Sequence, residues 1–308
     1  MIPVFTQTIF PVFAIILVGY GLKRTGVIDA EFSRKANQLV FYLALPAMLF
    51  HKLSAASFHA HFEPRAVIGI LAALAVQAVI AWQTARLCAF PRTVRGTFIQ
   101  SSFHGNLGYI AFAMAYYSDG DMLFERVAFL SSFLMIAHNI LATLALASQA
   151  ERNPAGVVFR PFFKSALFNP IILSVALGVA VSAMRIPVPV PLGRFLEILS
   201  GMGLPTALLL IGSSLSFGPV RQRQRELIWI GILKMVCFPI VGYGLLRLLD
   251  VPREMWLPVM ILLAAPPATV SYVMASELGG DVELAAASVS LHTLLSGLVY
   301  GVVLSLFG

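Results

Sequence analysis

The sequence predicts an all-α membrane protein of ten transmembrane helices, arranged as two inverted five-helix repeats with broken crossover helices four and nine. Three observations predict it. The 308 residues are 59% hydrophobic and only 11% charged, with a mean hydropathy of +0.88. A soluble domain is about 45–50% apolar and roughly 25% charged, so much of this surface faces lipid. The apolar residues gather in ten runs of about span length. Finally, one half of the chain repeats the other at an almost constant offset.

The runs fall at Ile2–Leu22, Ala36–Leu53, Ala66–Cys88, Gly96–Tyr117, Met122–Ser148, Ala166–Met184, Phe195–Phe217, Leu227–Leu248, Met255–Ser276 and Glu283–Phe307. The first has no basic residue before it, and Lys23 and Arg24 come after it, so it reads as a retained helix rather than a cleaved leader. Several contain Gly or Pro midway, which membrane helices tolerate when neighbours re-satisfy the backbone.

Loop charge sets the orientation. The loops after odd segments carry thirteen basic residues: Lys23, Arg24, Arg34, Lys35, Arg86, Arg92, Arg95, Arg152, Arg160, Lys164, Arg221, Arg223 and Arg225. The even loops carry seven: Lys52, Arg65, Arg126, Arg185, Arg194, Arg247 and Arg253. The excess of positive charge marks the cytoplasmic face, which places both termini outside the plasma membrane. A net charge of +7 spread this way serves topology and argues against a nucleic-acid partner. Cys88 and Cys237 show no CxxC spacing and read as packing residues.

Sliding the sequence by 159 residues lays Pro11 on Pro170, Gly19 on Gly178, Leu45-Pro46 on Leu204-Pro205 and Leu49 on Leu208. Sliding it by 160 lays Gly120-Asp121 on Gly280-Asp281. Each half holds five spans, an odd number, so the second copy enters the membrane from the opposite side. The expected division is a first repeat over 1–149, a short cytoplasmic linker over 150–164 and a second, inverted repeat over 165–308. Such repeats carry their binding site near mid-membrane, where the halves meet.

Segments four and nine contain helix-breaking sequences in corresponding places. Segment four carries His104-Gly105-Asn106-Leu107-Gly108-Tyr109, and segment nine carries Ala265-Pro266-Pro267-Ala268-Thr269. Two prolines remove donors and clash with the preceding turn, while glycines let the chain leave helical geometry. Each break starts a new half-helix whose free N–H groups and positive dipole end attract anions. With Asn106 and Thr269 as further polar groups, the pair suits a small carboxylate; the plainer alternative is a pair of packing kinks.

Ionisable residues inside spans are candidates for function. Lys234 lies nine residues after Arg225, about 13 Å along a helix from the cytoplasmic end. It either snorkels back to that face or serves as countercharge to an anion. His104, His138 and His292 are candidates for proton coupling or for hydrogen-bonded packing. Asn139, beside His138, is a candidate for the binding-site lining. No Asp or Glu falls in mid-span; Asp119, Asp121, Glu125, Glu277, Asp281 and Glu283 all sit at helix ends. That disfavours cation antiport on paired aspartates and intramembrane aspartyl proteolysis. No GxSG or HExxH motif occurs, so no enzyme, metal site or cofactor is expected.

The stretch Asn37-Gln38-Leu39-Val40-Phe41-Tyr42-Leu43-Ala44-Leu45-Pro46-Ala47-Met48-Leu49-Phe50 resembles the second-helix signature of the auxin efflux carrier family, which includes bacterial malate and malonate permeases. Gly105-Asn106-Leu107-Gly108-Tyr109 resembles its fourth-helix crossover. Gly203-Leu204-Pro205, Gly212-Ser213-Ser214-Leu215 and Thr293-Leu294-Leu295-Ser296 are similar to further stretches of it. The resemblance implies a fold shared with bile-acid symporters, a small organic anion as substrate, elevator-like alternating access and dimers through a scaffold half. It also places Asn106 and the Pro266-Pro267 break at the substrate. Where the family carries a proline shortly after the helix-four glycine–aromatic pair, this chain has Phe112-Ala113-Met114, and Gly105 and Gly108 are left to allow the break. The short loop from Gln149 to Lys164 favours a bacterial-type permease over a plant hormone carrier.

Voltage constrains direction. Bringing a dianion into a negative interior costs about 4.6 kcal/mol at 100 mV. Uptake therefore needs a co-transported cation, whereas efflux or exchange does not. A cation-coupled solute symporter of bile-acid type is the alternative function, and it calls for carboxylates near the crossover.

Overall fold

A computed structural model describes residues 5–56, 63–148 and 169–308 of the chain. Eleven main helices form it: α1 Phe5–Arg24, α2 Ala30–Ala55, α3 Pro64–Leu87, α4 Arg92–Ser101, α5 Leu107–Ala147, α6 Pro170–Ala183, α7 Val190–Ser214, α8 Gln224–Leu248, α9 Trp256–Ala264, α10 Val270–Glu277 and α11 Val282–Phe307. Seven of them (α1, α2, α3, α5, α7, α8 and α11) are long and apolar enough to cross a membrane; α6 is apolar but shorter. Among the described residues there is no strand, only an isolated antiparallel pairing of Gly105 with Pro267. The linker expected over 150–164, with Arg152, Arg160 and Lys164, lies outside the described residues.

The helices start and bend where local chemistry requires. Asp29 and Asp281 cap α2 and α11 by accepting the N–H groups of Phe32 and Leu284. Pro11, Pro46 and Pro239 each follow a π turn, at Phe5–Ile9, Val40–Ala44 and Ile232–Cys237. A proline supplies no N–H and crowds the carbonyl four residues back, and one wider turn relieves both. The 41 residues of α5 would span about 62 Å if straight, twice the hydrocarbon core. They do not run straight: Asp119 (φ −143°, ψ 23°) and Gly120 (φ 68°) leave helical geometry and divide α5 into two legs. The turn fits Gly120 because a left-handed φ costs glycine nothing. Expected segments four and five thus meet at a two-residue bend.

Packing leaves the outward faces apolar and exposed, as at Leu17, Val79, Phe195, Ile240 and Leu298, while Phe98, Phe103, Phe112, Phe124 and Phe238 are fully buried. Two close crossings set the frame. Gly19 of α1 lies against the backbone of Leu209 in α7, and Gly178 of α6 lies against Phe50 and Leu53 in α2. Gly212 meets the backbone of Ile16 in the first crossing. Small residues permit this approach where lipid supplies no hydrophobic drive between helices.

Polar contacts tie helix ends and turns together: Lys52–Asp121 (2.8 Å), Arg126–Glu254 (3.4 Å), Arg223–Asp281 (2.6 Å), Lys23 to the Leu215 carbonyl (3.0 Å) and Arg225 to the Cys88 carbonyl (2.9 Å).

Candidate functional site

Between α4 and α5, and again between α9 and α10, the chain leaves the helix, and the two gaps meet. The last turn of α4 closes with His104 N–H on the Gln100 carbonyl (2.8 Å). The next residues leave the helix and pair across the gap. Asn106 N–H donates to the Pro266 carbonyl (2.7 Å), and Ala268 N–H donates to the His104 carbonyl (2.9 Å), with Gly105 opposite Pro267. Pro266 and Pro267 have no N–H to offer the end of α9, so the break there is fixed by covalent structure. The break in α4 depends on this pairing and on Gly105. A Cβ at Gly105 would lie 3.3 Å from Ala265, Leu107 and the Lys234 ammonium, tighter than side chains ordinarily pack.

After each gap a helix begins. α5 opens with a π turn in which Ala111 N–H reaches back to the Asn106 carbonyl (3.2 Å), so the amides of Gly108, Tyr109 and Ile110 precede the first helical bond. α10 opens at Val270, with Thr269 half-buried at its head. Two positive helix ends therefore start at one crossing.

The surrounding polar groups are short of partners. Asn106 is 5% exposed, and its amide nitrogen Nδ2 has no hydrogen bond. The same holds for His104 Nδ1 and His138 Nε2, whose ring centroids are 5.0 Å apart, and for the Ser271 hydroxyl in the first turn of α10. Lys234 does not snorkel. It is 0% exposed and donates from Nζ to the Leu263 carbonyl (3.0 Å), with the Phe238 ring 4.6 Å from Nζ. Among the described residues no carboxylate pairs with it.

Not every expected residue gathers here. Gly105, Asn106, Pro266, Pro267, Ala268, Thr269, His104 and Lys234 do, with His138 behind His104. Gly108 is half-buried, its Cα side toward Ile171 and Met135. Tyr109 turns to α2 and donates its hydroxyl to Asn37 Oδ1 (2.5 Å). Asn139 spends its amide on the Met135 carbonyl of its own helix (3.0 Å). His292 stands apart, tying α11 to α8 through the Ser288 (2.8 Å) and Leu227 (3.1 Å) carbonyls. Sequence reasoning missed Gln77, which is 0% exposed and donates to the carbonyls of Leu233 (2.7 Å) and Ser102 (3.0 Å). An amide in the middle of the apolar run of α3 was the available signal. Among the described residues no three His, Cys, Asp or Glu side chains cluster as metal ligands.

The crossing therefore gathers an ammonium, a buried amide and two helix N-termini, all groups that attract negative charge. Known proteins share the chain's sequence along its whole length. The model of the membrane transport protein family matches residues 4–153 and 146–304. A protein of Rhizobium meliloti described as "Putative malonate transporter" is 29% identical, covering 96% of this chain and 95% of that protein. An "Uncharacterized transporter" of Methanothermobacter thermautotrophicus is 25% identical over 94% of each. With the family model matching nearly every residue, the chain belongs to the membrane transport proteins of auxin efflux carrier-like type and is a multi-pass membrane transporter.

Proposed function

We propose that this chain is a secondary transporter moving a small organic anion, a carboxylate such as malonate, malate or an auxin-like acid, through the crossing of the two broken helices. One observation carries the reading: the Lys234 ammonium is buried beside the crossing with a single carbonyl and a ring face as its partners. A buried ion without a counterion costs several kcal/mol, and a carboxylate supplies that counterion. The unpaired amide of Asn106 and the leading amides of α5 and α10 add donors of the kind a carboxylate accepts. The relative described as a malonate transporter is consistent with this substrate class.

Two inverted five-helix repeats, 1–149 and 165–308, moving as an elevator are the architecture we assign to it. The paired crossings support the repeat: shifting Gly19 and its neighbour Leu209 by 159 residues, forward and back respectively, gives Gly178 and its neighbour Phe50. The orientation proposed is both termini outside a bacterial inner membrane, with dimers through α1, α2, α6 and α7. Cation-coupled symport of bile-acid type is the second reading; the unpaired nitrogens of His104 and His138 favour a proton as its ion.

Flux of labelled malonate, malate and indole-acetate into proteoliposomes, with and without a pH gradient, tests both. Saturable flux of at least one acid supports the carrier, and dependence on the gradient supports proton coupling. Absence of flux and binding for every carboxylate would sink the anion reading.

A further inference from the structure

Each break leaves carbonyls without their helical donors, those of Ser102 and Leu263 among them. In an unbroken helix Asn106 N–H would close on the Ser102 carbonyl, but it bonds to Pro266 instead. In an unbroken helix the Leu263 carbonyl would look to residue 267, a proline with no N–H. Both carbonyls are met by a side chain from the preceding long helix. Gln77 Nε2 of α3 donates to Ser102 (3.0 Å), and Lys234 Nζ of α8 donates to Leu263 (3.0 Å). Both side chains are 0% exposed. They do the same work at the two breaks, but one is neutral and the other an ammonium. Gln77 also grips the Leu233 carbonyl, next in sequence to Lys234 (2.7 Å).

The charges around this pair are few. α3 presents Gln77, α9 the Leu263 carbonyl, and α8 itself the Phe238 ring. The titratable neighbours of Lys234 are His104 from the break after α4 and His138 from α5. Among the described residues no carboxylate joins them.

We infer that the crossing takes its substrate as a monoanion, and that Gln77 sets this limit by standing neutral where the other half carries Lys234. The inference rests on the organic-anion reading. One negative charge meets one full positive charge at the ammonium, whereas the second charge of a dianion has only the partial charges of the two helix ends to meet it in a low-dielectric interior. A monocarboxylate binds as it stands. A dicarboxylate binds in its singly protonated form, taking that proton from the water on the side it enters and keeping it through the bound state.

Two probes test this on the purified full-length protein in lipid nanodiscs: malonate, and monomethyl malonate, whose charge stays at one from about pH 5 to about pH 8. Titration of Lys234, His104 or His138 shifts both probes alike, so the ratio of their affinities isolates the ligand's charge. The expected ratio falls against malonate by about tenfold per pH unit above its second ionisation. In Gln77→Lys the preference reverses, with malonate gaining about tenfold over the ester at about pH 8. A wild-type ratio that stays flat with pH overturns the monoanion rule and leaves the carrier standing. No binding of either probe at any pH overturns the carrier and the rule together. A folded Gln77→Lys protein with an unchanged ratio removes Gln77 from its role. If that variant does not fold, the wild-type ratio still decides the rule.

Discussion

At the residue scale the proposed anion site rests on Lys234 and Asn106, and a substitution can remove the group each one offers. Lys234→Met keeps the stem's packing and deletes the charge. Losing a charged hydrogen bond to a ligand costs about 2 kcal/mol, so malonate should bind roughly thirtyfold more weakly while the yield of folded protein stays the same. Calorimetric titration checks this, and equal affinity would make Lys234 a mere cap for Leu263. Asn106→Ala removes a buried amide whose nitrogen has no protein partner. Its deletion should cost no internal hydrogen bond from that nitrogen, yet reduce malonate flux at least tenfold. These two residues were legible in the sequence because a charge or amide in an apolar span is conspicuous. The direction of Lys234 was not: position along a helix gives depth, and the choice between interface and interior depends on what α9 presents. Tyr109 and Asn139 show the converse. Both sit beside the expected site in sequence, but Tyr109 finds Asn37 and Asn139 finds Met135, through rotamers no pattern specifies.

The decisive feature among the elements is the pair of gaps, and they differ in origin. That after α9 is covalent, since Pro266 and Pro267 lack donors, whereas that after α4 is held by Gly105 and by bonds to Pro266 and Ala268. Pro267→Ala restores an N–H that can close on the Leu263 carbonyl in place of Lys234. Flux through this variant should fall at least tenfold with no loss of thermal stability in detergent. Retained flux would mean the break is incidental to transport. Gly120→Ala is the contrasting case. Its φ of 68° is costly for a side-chain-bearing residue, by about 1–2 kcal/mol, so the unfolding temperature should drop by a few degrees while flux persists. Prolines and glycines made the gaps legible in the sequence, because those residues act through backbone chemistry alone. The π turns before Pro11, Pro46 and Pro239 were not legible, since one extra residue in a turn leaves the hydropathy pattern intact.

At the scale of the whole molecule, composition and run length gave an all-helical membrane protein, and those signals are strong because lipid excludes every alternative backbone except closed barrels. Pairing of helices is less visible. Nothing in α1 names α7 as its partner; Gly19 and Gly212 do so only once the backbones touch. Gly212→Leu should accordingly block this crossing and abolish folded protein on size-exclusion chromatography, whereas Gly244→Leu, with open space around it, should not. Transport as proposed requires an anion seated between two helix starts deep in the bilayer. Amide hydrogen exchange of the nanodisc-embedded protein, with and without malonate, measures this most directly. It should show slowed exchange at 107–111 and at 269–272 together, with other helices unchanged. Unaltered exchange at both stretches under saturating malonate, or protection confined to the loops, would contradict it.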